Sequence, residues 1–185
     1  MFLLNYIRHP KTTGAIIQSS KALAQVITEG ANIECAKNII EIGAGSGAFT
    51  QIILRKKSQN AKFFAVEINP NFARELKGKF PNLDIALGSA KDLGAMMKER
   101  DMESADVIIS GIPWSFLSIR EQTLMLKRVH NALKVGGYFN TFAYHSPLPS
   151  AKVFKRKLYK TFGEVQKSKS VVLNIPPAFV YICKK

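Results

Sequence analysis

The sequence is poor in the residues from which metal sites and disulfide frameworks are built. Its 185 residues include only three histidines and two cysteines, Cys35 and Cys183, and these form no Cys/His cluster. Zinc sites need several such ligands at close spacing, so we predict no metal site and expect both cysteines to be small buried side chains. No apolar run approaches the ~18 residues that span a bilayer, and the apolar stretch at residues 1–8 is too short for a signal peptide. These absences favour a cytoplasmic protein.

Acidic residues are scarce as well. The chain has 13 Asp and Glu against 27 Lys and Arg, which gives a net charge of +14. More than half of this excess lies in residues 151–185, where nine Lys and Arg accompany a single acid, Glu164. A surface with such a field attracts a polyanion, either nucleic acid or an anionic membrane surface. A basic surface that only favours solubility is the plain alternative.

Short apolar strands alternate with amphipathic helices from residue 38 onwards. Strands are predicted at residues 38–42, 63–67, 83–87, 107–109 and 138–144, and helices at 49–57, 71–80 and 121–133. Ahead of them, residues 1–30 predict two short helices, the second capped by Ser19 or Ser20 and ended by Gly30. We therefore expect one domain over residues 1–185, in which an N-terminal helical segment (1–30), suited to a membrane interface, precedes the core (31–185).

The end of the chain departs from this alternation. Two further strands are predicted at residues 165–173 and 179–183, with only Asn174 to Ala178 between them. A connection this short cannot be a parallel crossover, so the two strands should be antiparallel. The predicted fold class is α/β: a Rossmann-like, seven-stranded, mostly parallel sheet with an antiparallel terminal hairpin and helices on both faces, which is the layout of class I methyltransferases.

A glycine-rich turn follows the first predicted strand. Glu41-Ile42-Gly43-Ala44-Gly45-Ser46-Gly47 places glycines at alternate positions, where they permit tight turns and let a ligand approach the backbone. Glu67 ends the next predicted strand, 20 residues after Gly47, and a carboxylate there can accept hydrogen bonds from ribose hydroxyls. The turn alone could be an ordinary connection, but in company with Glu67 it predicts a nucleoside site.

Three features favour S-adenosylmethionine over a dinucleotide at this site. The spacing is Glu-x-Gly-x-Gly-x-Gly, no second mononucleotide-binding half follows, and a terminal hairpin is typical of methyltransferases. After the third strand, Ser89 can hydrogen-bond the adenine amine with one acceptor oxygen in place of the usual carboxylate. The predicted contacts of S-adenosylmethionine, and of its product S-adenosylhomocysteine, are Glu41, Gly43, Ala44, Gly45, Gly47, Glu67, Ile68, Ser89, Ala90, Ser110 and Gly111.

Two loops provide candidates for the acceptor site. In the first, Ser110-Gly111-Ile112-Pro113-Trp114, the Ser110 hydroxyl and the backbone carbonyls can accept hydrogen bonds from an amine, and Trp114 can either line the pocket or only cover the sheet. In the second, Tyr144 is predicted to orient the amine and His145 to accept its proton, because imidazole ionises near neutral pH. His145 could equally be a surface histidine. The candidate catalytic residues are Tyr144, His145 and Ser110.

Several segments resemble bacterial phospholipid N-methyltransferases, and the likeness runs the whole length. They are residues 6–24, 110–113, 142–144 and 174–181, the last reading Asn-Ile-Pro-Pro-Ala-Phe-Val-Tyr. The resemblance implies methylation of the amine of phosphatidylethanolamine, in up to three steps, by an enzyme peripheral to the inner face of the bacterial membrane. The predicted phospholipid contacts are Tyr6, Ser20, Ile112, Pro113, Trp114, Tyr144 and Asn174. The chain departs from the family pattern at Ser89 and at Gln18, where proline is usual.

An RNA methyltransferase is the alternative. The rRNA adenine dimethyltransferases share the core and its adjacent motifs, and the basic residues 151–185 suit RNA. These enzymes typically carry an additional C-terminal helical domain, for which this sequence leaves no room. A phospholipid substrate and an anionic membrane surface are therefore the expected partners, and nucleic acid is less favoured.

Overall fold

The structure, a computed structural model, describes residues 20–185. Seven strands are present: β1 (Asn38–Ile42), β2 (Lys62–Glu67), β3 (Asp84–Leu87), β4 (Ala105–Ser110), β5 (Leu133–Tyr144), β6 (Glu164–Lys167) and β7 (Ala178–Lys184). The α-helices are α1 (Lys21–Thr28), α2 (Ala48–Lys56), α3 (Pro70–Lys79), α4 (Leu93–Lys98), α5 (Ile119–Ala132) and α6 (Pro149–Thr161). Short 3-10 helices lie at Ile33–Cys35, Ala90–Asp92 and Trp114–Phe116.

The strands form one sheet in the order β3-β2-β1-β4-β5-β7-β6. Strands β1 to β5 pair in parallel, and β7 lies between β5 and β6 and runs antiparallel to both. The predicted fold class is confirmed: a seven-stranded, Rossmann-like methyltransferase sheet that ends in an antiparallel hairpin.

The helices cover both faces of the sheet. On one face, α4, α5 and α6 bury apolar side chains such as Met97, Leu126 and Phe154. On the other face, α1 and α2 bury Leu23 and Ile53 against residues of β1, β4, β5 and β7. Strands with helices on both faces must be apolar on both faces, which explains their near-continuous hydrophobic sequences.

Two strand boundaries differ most from the prediction, and two helices were not predicted. Strand β6 ends at Lys167 and not at residue 173, because residues 168–177 leave the sheet, apart from an isolated bridge between Val171 and Ala178. Strand β5 begins at Leu133 and not at residue 138, so it includes Gly136 and Gly137. Helices α4 and α6 were not predicted; Pro149, in the first turn of α6, is a residue that favours helix starts.

The capped helix predicted before residue 30 is confirmed as α1. The Ser20 hydroxyl accepts a hydrogen bond from Leu23 N (3.1 Å), and Gly30 has a positive φ of 69°. At its C-terminal end, the Asn140 side chain of β5 donates to the carbonyls of Ile27 (2.8 Å) and Glu29 (3.1 Å), which fastens α1 to the sheet. The other helix predicted in residues 1–30, and Tyr6 with it, lies outside the described residues.

The two cysteines differ in exposure. Cys183 is buried, as expected, but Cys35 is exposed, because Ile33 is the residue of its short 3-10 helix that faces the core. Between residues 20 and 185, no helix is long and apolar enough to cross a bilayer. The same residues contain no cluster of three or more His, Cys, Asp or Glu side chains arranged to hold a metal ion.

Candidate active site

The carboxyl ends of the parallel strands bring the predicted site segments to one edge of the sheet. Ile42 of β1 is paired with Val66 of β2 on one side and with Ser110 of β4 on the other, and Ser110 is paired with Thr141 of β5. The turns that follow these strands therefore lie side by side, at the edge where ligands bind in open α/β sheets.

The glycine turn is folded tightly over this edge. Gly43 N donates to Val66 O (2.8 Å), and Gly43, Gly45 and Gly47 all have positive φ values. A Cβ atom at Gly47 would lie 2.7 Å from Leu76 Cδ1, so close packing on α3 requires glycine there. At Gly45 a Cβ atom would meet no atom within 4 Å. The open side of the turn thus leaves room for a ligand against the backbone.

Glu67 joins the end of β2 to this turn. One carboxylate oxygen accepts from Gly45 N (2.7 Å) and the other from Asn69 N (2.8 Å), while the residue is only 5% exposed. Each oxygen retains acceptor capacity, because a carboxylate oxygen has two lone pairs. A fixed carboxylate beside an open glycine turn can accept hydrogen bonds from the two hydroxyls of a ribose. These residues therefore fit an adenosine-containing cofactor.

Glu41 is buried and makes a structural contact. It is 0% exposed in β1 and accepts from Thr50 Oγ1 (2.6 Å), which ties the strand to α2. Burial, with a further contribution from Glu67, raises the pKa of Glu41 to about 8. Glu41 thus holds α2 behind the glycine turn, and its predicted contact with the cofactor stays a prediction.

The remaining predicted cofactor residues flank the same crevice. Ile68 is 44% exposed directly after Glu67, where an apolar side chain can cover an adenine ring, whereas Ala44 and Ala90 are buried. Ser89 is the N-cap of the Ala90–Asp92 helix, and its hydroxyl accepts from Lys91 N (3.2 Å). A contact between Ser89 and adenine stays a prediction.

The loop after β4 packs directly against the glycine turn. A Cβ atom at Gly111 would lie 2.2 Å from Gly43 O, and one at Gly43 would lie 2.7 Å from Ile112 Cγ1. Glycine at both positions allows the two turns to touch. The acceptor loop and the cofactor turn are therefore in contact, as methyl transfer between their ligands requires.

Ser110 and Trp114 both make contacts within the protein, and their predicted roles in the acceptor site stay predictions. Ser110 is 0% exposed, and its hydroxyl oxygen accepts from Trp114 Nε1 (3.0 Å) and Ile112 N (3.3 Å). Trp114 is 1% exposed and stacks on Phe154, with ring centroids 4.7 Å apart. The Ser110 hydroxyl thus positions the loop, while Trp114 packs on the core and is also one of the residues that line the cavity described below.

Ser20 and Asn174 both have structural partners. The Ser20 hydroxyl caps α1, and Asn174, 1% exposed, accepts from Ser20 N (2.9 Å) and donates to Pro176 O (2.8 Å). The Asn174 amide therefore fastens the start of α1 to the segment before β7. The contacts predicted between these two residues and a substrate stay predictions.

A cavity of about 220 Å³ opens beside the loop after β4, at the ends of β5 and β7. Its lining includes Pro113 together with the predicted pair Tyr144 and His145. The aromatic residues of the lining are Trp114, Phe142, Tyr144, Phe154, Phe179 and Tyr181. Phe179 and Tyr181 were not predicted as site residues; their alternate positions on β7 are the sequence signal that they share one face.

Tyr144 and His145 differ in environment. Tyr144 is half-buried against Phe142, and burial raises its pKa to about 12, so the phenol is neutral throughout the physiological range. His145 is exposed, its Nε2 lies 2.8 Å from Ser170 Oγ, and its ring lies 5.1 Å from that of Phe179. Tyr144 can therefore offer a neutral hydroxyl, and His145 is the group of the pair that can exchange a proton with water.

Three lysines complete the lining: Lys152 and Lys155 of α6 and Lys167 at the end of β6. The Lys167 ammonium lies 3.9 Å from the centre of the Phe179 ring. None of the three forms an ion pair within residues 20–185. Not every lysine of α6 lines the cavity, since Lys157 instead donates to Ile119 O and Thr123 Oγ1 of α5.

Comparisons with known proteins agree with this architecture. A family model described as a methyltransferase domain matches residues 40–139. An ornithine lipid N-methyltransferase of Singulisphaera acidiphila is 28% identical over 190 residues, which cover 100% of this chain and 94% of the relative. A ribosomal RNA small subunit methyltransferase A of Thermotoga neapolitana is 28% identical over 112 residues, covering 59% of this chain and 40% of the relative.

Solved structures share the fold. An O-methyltransferase from Bacillus cereus in complex with S-adenosylhomocysteine superposes with a TM-score of 0.70 at 15% identity, covering 100% of this chain and 91% of that one. The family match spans the glycine turn, Glu67 and the loop after β4, which form the crevice described above. The chain belongs to the methyltransferase domain family and is a class I, S-adenosylmethionine-dependent methyltransferase.

Proposed function

We propose that the chain transfers methyl groups to the primary amine of a membrane aminolipid, with phosphatidylethanolamine as the first substrate to be tested. The observation that carries this proposal is the composition of the cavity. It combines aromatic walls, the polar pair Tyr144 and His145, and three lysines without a carboxylate partner. An amine and an anion joined by a short linker match these features.

The size of the cavity supports a headgroup as the group that enters. Sites for drug-sized ligands usually measure ~300–1,000 Å³. A cavity of about 220 Å³ is smaller than these. A headgroup can therefore enter it while the acyl chains stay outside, in the membrane. This argument favours an enzyme that works as a peripheral protein on the inner membrane face.

The lysines supply the anion site in this proposal. Lys152 and Lys155 lie three residues apart on α6, so their side chains share one face of the helix. Lys167 approaches from β6. Together they would hold the lipid phosphate, and the amine would then extend toward Pro113, next to the loop that contacts the glycine turn.

The residues around the amine address a specific chemical problem. An ammonium group has no lone pair, so it must lose a proton before nitrogen can attack the methyl carbon. His145 would accept this proton, directly or through water, and pass it to solvent, since it is exposed. Tyr144 would orient the amine through its neutral hydroxyl. The bound cofactor supplies a methyl group on a sulfonium, and holding the two reactants in line can contribute ~7–11 kcal/mol to catalysis.

Two other substrates have specific support. Ornithine lipids also pair an amine with an anion, here a carboxylate, and the relative of nearly equal length from Singulisphaera acidiphila carries that activity in its name. RNA is supported by the basic residues 151–185 and by the ribosomal RNA methyltransferase relative, although the match covers only 40% of that protein. The cavity composition favours the lipids, because the anion site lies inside the pocket itself.

The test is methyl transfer from labelled S-adenosylmethionine. The purified chain is incubated in parallel with vesicles containing phosphatidylethanolamine, vesicles containing an ornithine lipid, and RNA, and the products are identified by mass spectrometry. The proposal expects mono-, di- or trimethylated phosphatidylethanolamine. Label in the ornithine lipid alone would mean that the substrate is ornithine lipid and not phosphatidylethanolamine, and the proposal of a membrane aminolipid would stand. Label in RNA alone, or no label in either lipid from protein that binds the cofactor, would overturn the proposal.

A further inference from the structure

The segment between β6 and β7, residues 168–177 (the β6–β7 loop), exposes an unusual amount of apolar surface. Val172, Leu173 and Ile175 are 71%, 76% and 80% exposed. They are three of the four most exposed large hydrophobic side chains within the described residues 20–185. Single exposed hydrophobics are common, but a group of three in one loop marks an interaction site.

The apolar side chains are held outward by the fold. Their neighbours Val171 and Asn174 are buried, at 8% and 1% exposure. Val171 N donates to Ala178 O (2.6 Å), and the Asn174 side chain accepts from Ser20 N (2.9 Å). These contacts fasten the loop at two points. Val172, Leu173 and Ile175 therefore project from an anchored frame.

The loop contacts the lining of the cavity. Strand β6 runs parallel to β5, because both are antiparallel to β7, so the loop emerges at the carboxyl edge of the sheet. Ser170 of the loop is hydrogen-bonded to His145 (2.8 Å), which lines the cavity. The loop that carries the exposed apolar side chains and the candidate acceptor site therefore lie at the same edge of the sheet.

The charge around the loop is of one sign. Lys167 directly precedes the loop and Lys169 lies within it, and no Asp or Glu occurs from residue 165 to residue 185. Apolar side chains with adjacent lysines match the two layers of an anionic membrane surface, since hydrocarbon accepts the former and lipid phosphates attract the latter. An acid-free surface of this kind has charge complementarity to anionic lipid.

We propose that the β6–β7 loop inserts Val172, Leu173 and Ile175 into an anionic lipid bilayer and so places the cavity mouth at the level of the headgroups. This inference rests on the proposed function, because a lipid substrate is the reason for the chain to bind a membrane. It assigns the docking to particular residues between 168 and 177. The prediction that the N-terminal segment, residues 1–30, is interfacial is a separate one.

The test is vesicle flotation of the full chain without cofactor. Vesicles contain phosphatidylglycerol and phosphatidylcholine, neither of which has a primary amine to methylate. The triple variant Val172→Ser, Leu173→Ser, Ile175→Ser should show a partition coefficient at least tenfold lower than the wild type. The matched control is Val135→Ser, which removes a side chain of 86% exposure near the opposite end of β5 and should bind as the wild type does. Thermal unfolding verifies that both variants are folded.

The contrary results are distinct. Equal binding of the triple variant and the wild type, or no wild-type binding to these vesicles, would overturn the proposal. So would a change of oligomeric mass in the triple variant by light scattering, because the loop would then be a contact between copies of the chain. The proposed function is tested in a separate assay, which measures methylation of a water-soluble short-chain phosphatidylethanolamine and so needs no membrane binding. The triple variant should retain that activity, and its absence from the wild type as well would overturn the proposed function without deciding the loop.

Discussion

The two halves of the carboxyl edge are built on different principles. In the half formed by β1, β2 and the glycine turn (the cofactor half), the important contacts are made by backbone amides and by buried side chains, such as Glu67 at 5% exposure. In the half formed by β5, β7 and α6 (the acceptor half), they are made by exposed groups such as His145 and Lys155. The cofactor half is therefore part of the fold, while the acceptor half can change without disturbing it.

The two halves also differ in charge. The cofactor half holds Glu41 and Glu67 close enough that Glu67 contributes to the raised pKa of Glu41. The acceptor half has three lysines in its cavity lining and no carboxylate there. A cofactor that all members of the fold share can be bound by buried residues that belong to the fold. Substrates that differ between enzymes are better bound by surface side chains, which can change without disturbing the fold. Within one methyltransferase fold, we therefore expect the substrate to be decided at β5, β7 and α6.

The largest functional effect is expected in the cofactor half. Glu67→Ala should weaken cofactor affinity by an order of magnitude or more, because the ribose loses a charged acceptor worth ~1.5–3 kcal/mol and Gly45 N loses its partner. Calorimetric titration with S-adenosylhomocysteine measures it. The control is Glu75→Ala on α3, which removes an exposed carboxylate paired with Lys79 and should leave affinity unchanged. Equal affinity in both variants would remove Glu67 from the ribose site.

The next effect concerns the amine. Tyr144→Phe keeps the aromatic wall but removes the hydroxyl, so kcat should fall by about tenfold, the loss expected for one hydrogen bond to a polar reactant. Since the pKa of Tyr144 is raised to about 12, the hydroxyl stays neutral and the loss should be constant between pH 6 and 10. Tyr159→Phe, an exposed tyrosine on α6, is the control. A loss that appears only at high pH would contradict the role of a neutral hydroxyl.

A smaller effect is expected at the lysines. Combined Lys152→Gln, Lys155→Gln and Lys167→Gln should raise KM for vesicle phosphatidylethanolamine by about fivefold, or ~1 kcal/mol in total, because exposed cations are screened by water and salt and each contributes only a fraction of a kcal/mol. Cofactor affinity should not change. The control is the equally charged change Lys37→Gln, Lys98→Gln and Lys127→Gln, at exposed lysines outside the cavity lining. If both triple variants raise KM equally, total charge matters and the cavity does not provide the anion site.

The sequence predicted the cofactor half better than the acceptor half, for a physical reason. The glycine turn and Glu67 depend on local conformation, and local conformation leaves a pattern at short spacing. The hydrogen bond between Ser20 and Asn174 joins residues 154 positions apart, and no periodicity reveals it. The sequence therefore could not show that the Asn174 amide fastens the start of α1.

Hydrophobicity alone did not predict which apolar side chains are buried. The apolar run Val171-Val172-Leu173 predicted a longer β6, because apolar sequence with β-branched residues usually indicates a buried strand. In the structure the Val172 and Leu173 side chains face solvent, so their hydrophobicity has another use. Trp114 was predicted either to line the pocket or only to cover the sheet, and it does both: its indole packs against Phe154 and Phe139, and the residue also lines the cavity. Burial follows from tertiary packing, which one sequence does not display.

The last prediction concerns Glu41, beneath the cofactor half. Its pKa is raised from 4.5 to about 8, chiefly by burial, so between these values the folded chain retains a proton that the unfolded chain releases. Its contribution to stability is therefore complete below pH 4.5 and is lost as pH rises toward 8, by up to ~1.4 kcal/mol per pH unit. Glu41→Gln, which cannot ionise, should remove this slope from the free energy of unfolding.

Denaturant unfolding at pH 5.5 and pH 7.5 tests the slope. The wild type should lose stability relative to Glu41→Gln at the higher pH, whereas Glu34→Gln, an exposed carboxyl group, should follow the wild type. Parallel pH profiles for all three proteins would mean that Glu41 is ionised in the fold. The cofactor half would then carry two buried negative charges, and its preference for a cationic cofactor would come from charge as well as from the shape of the glycine turn.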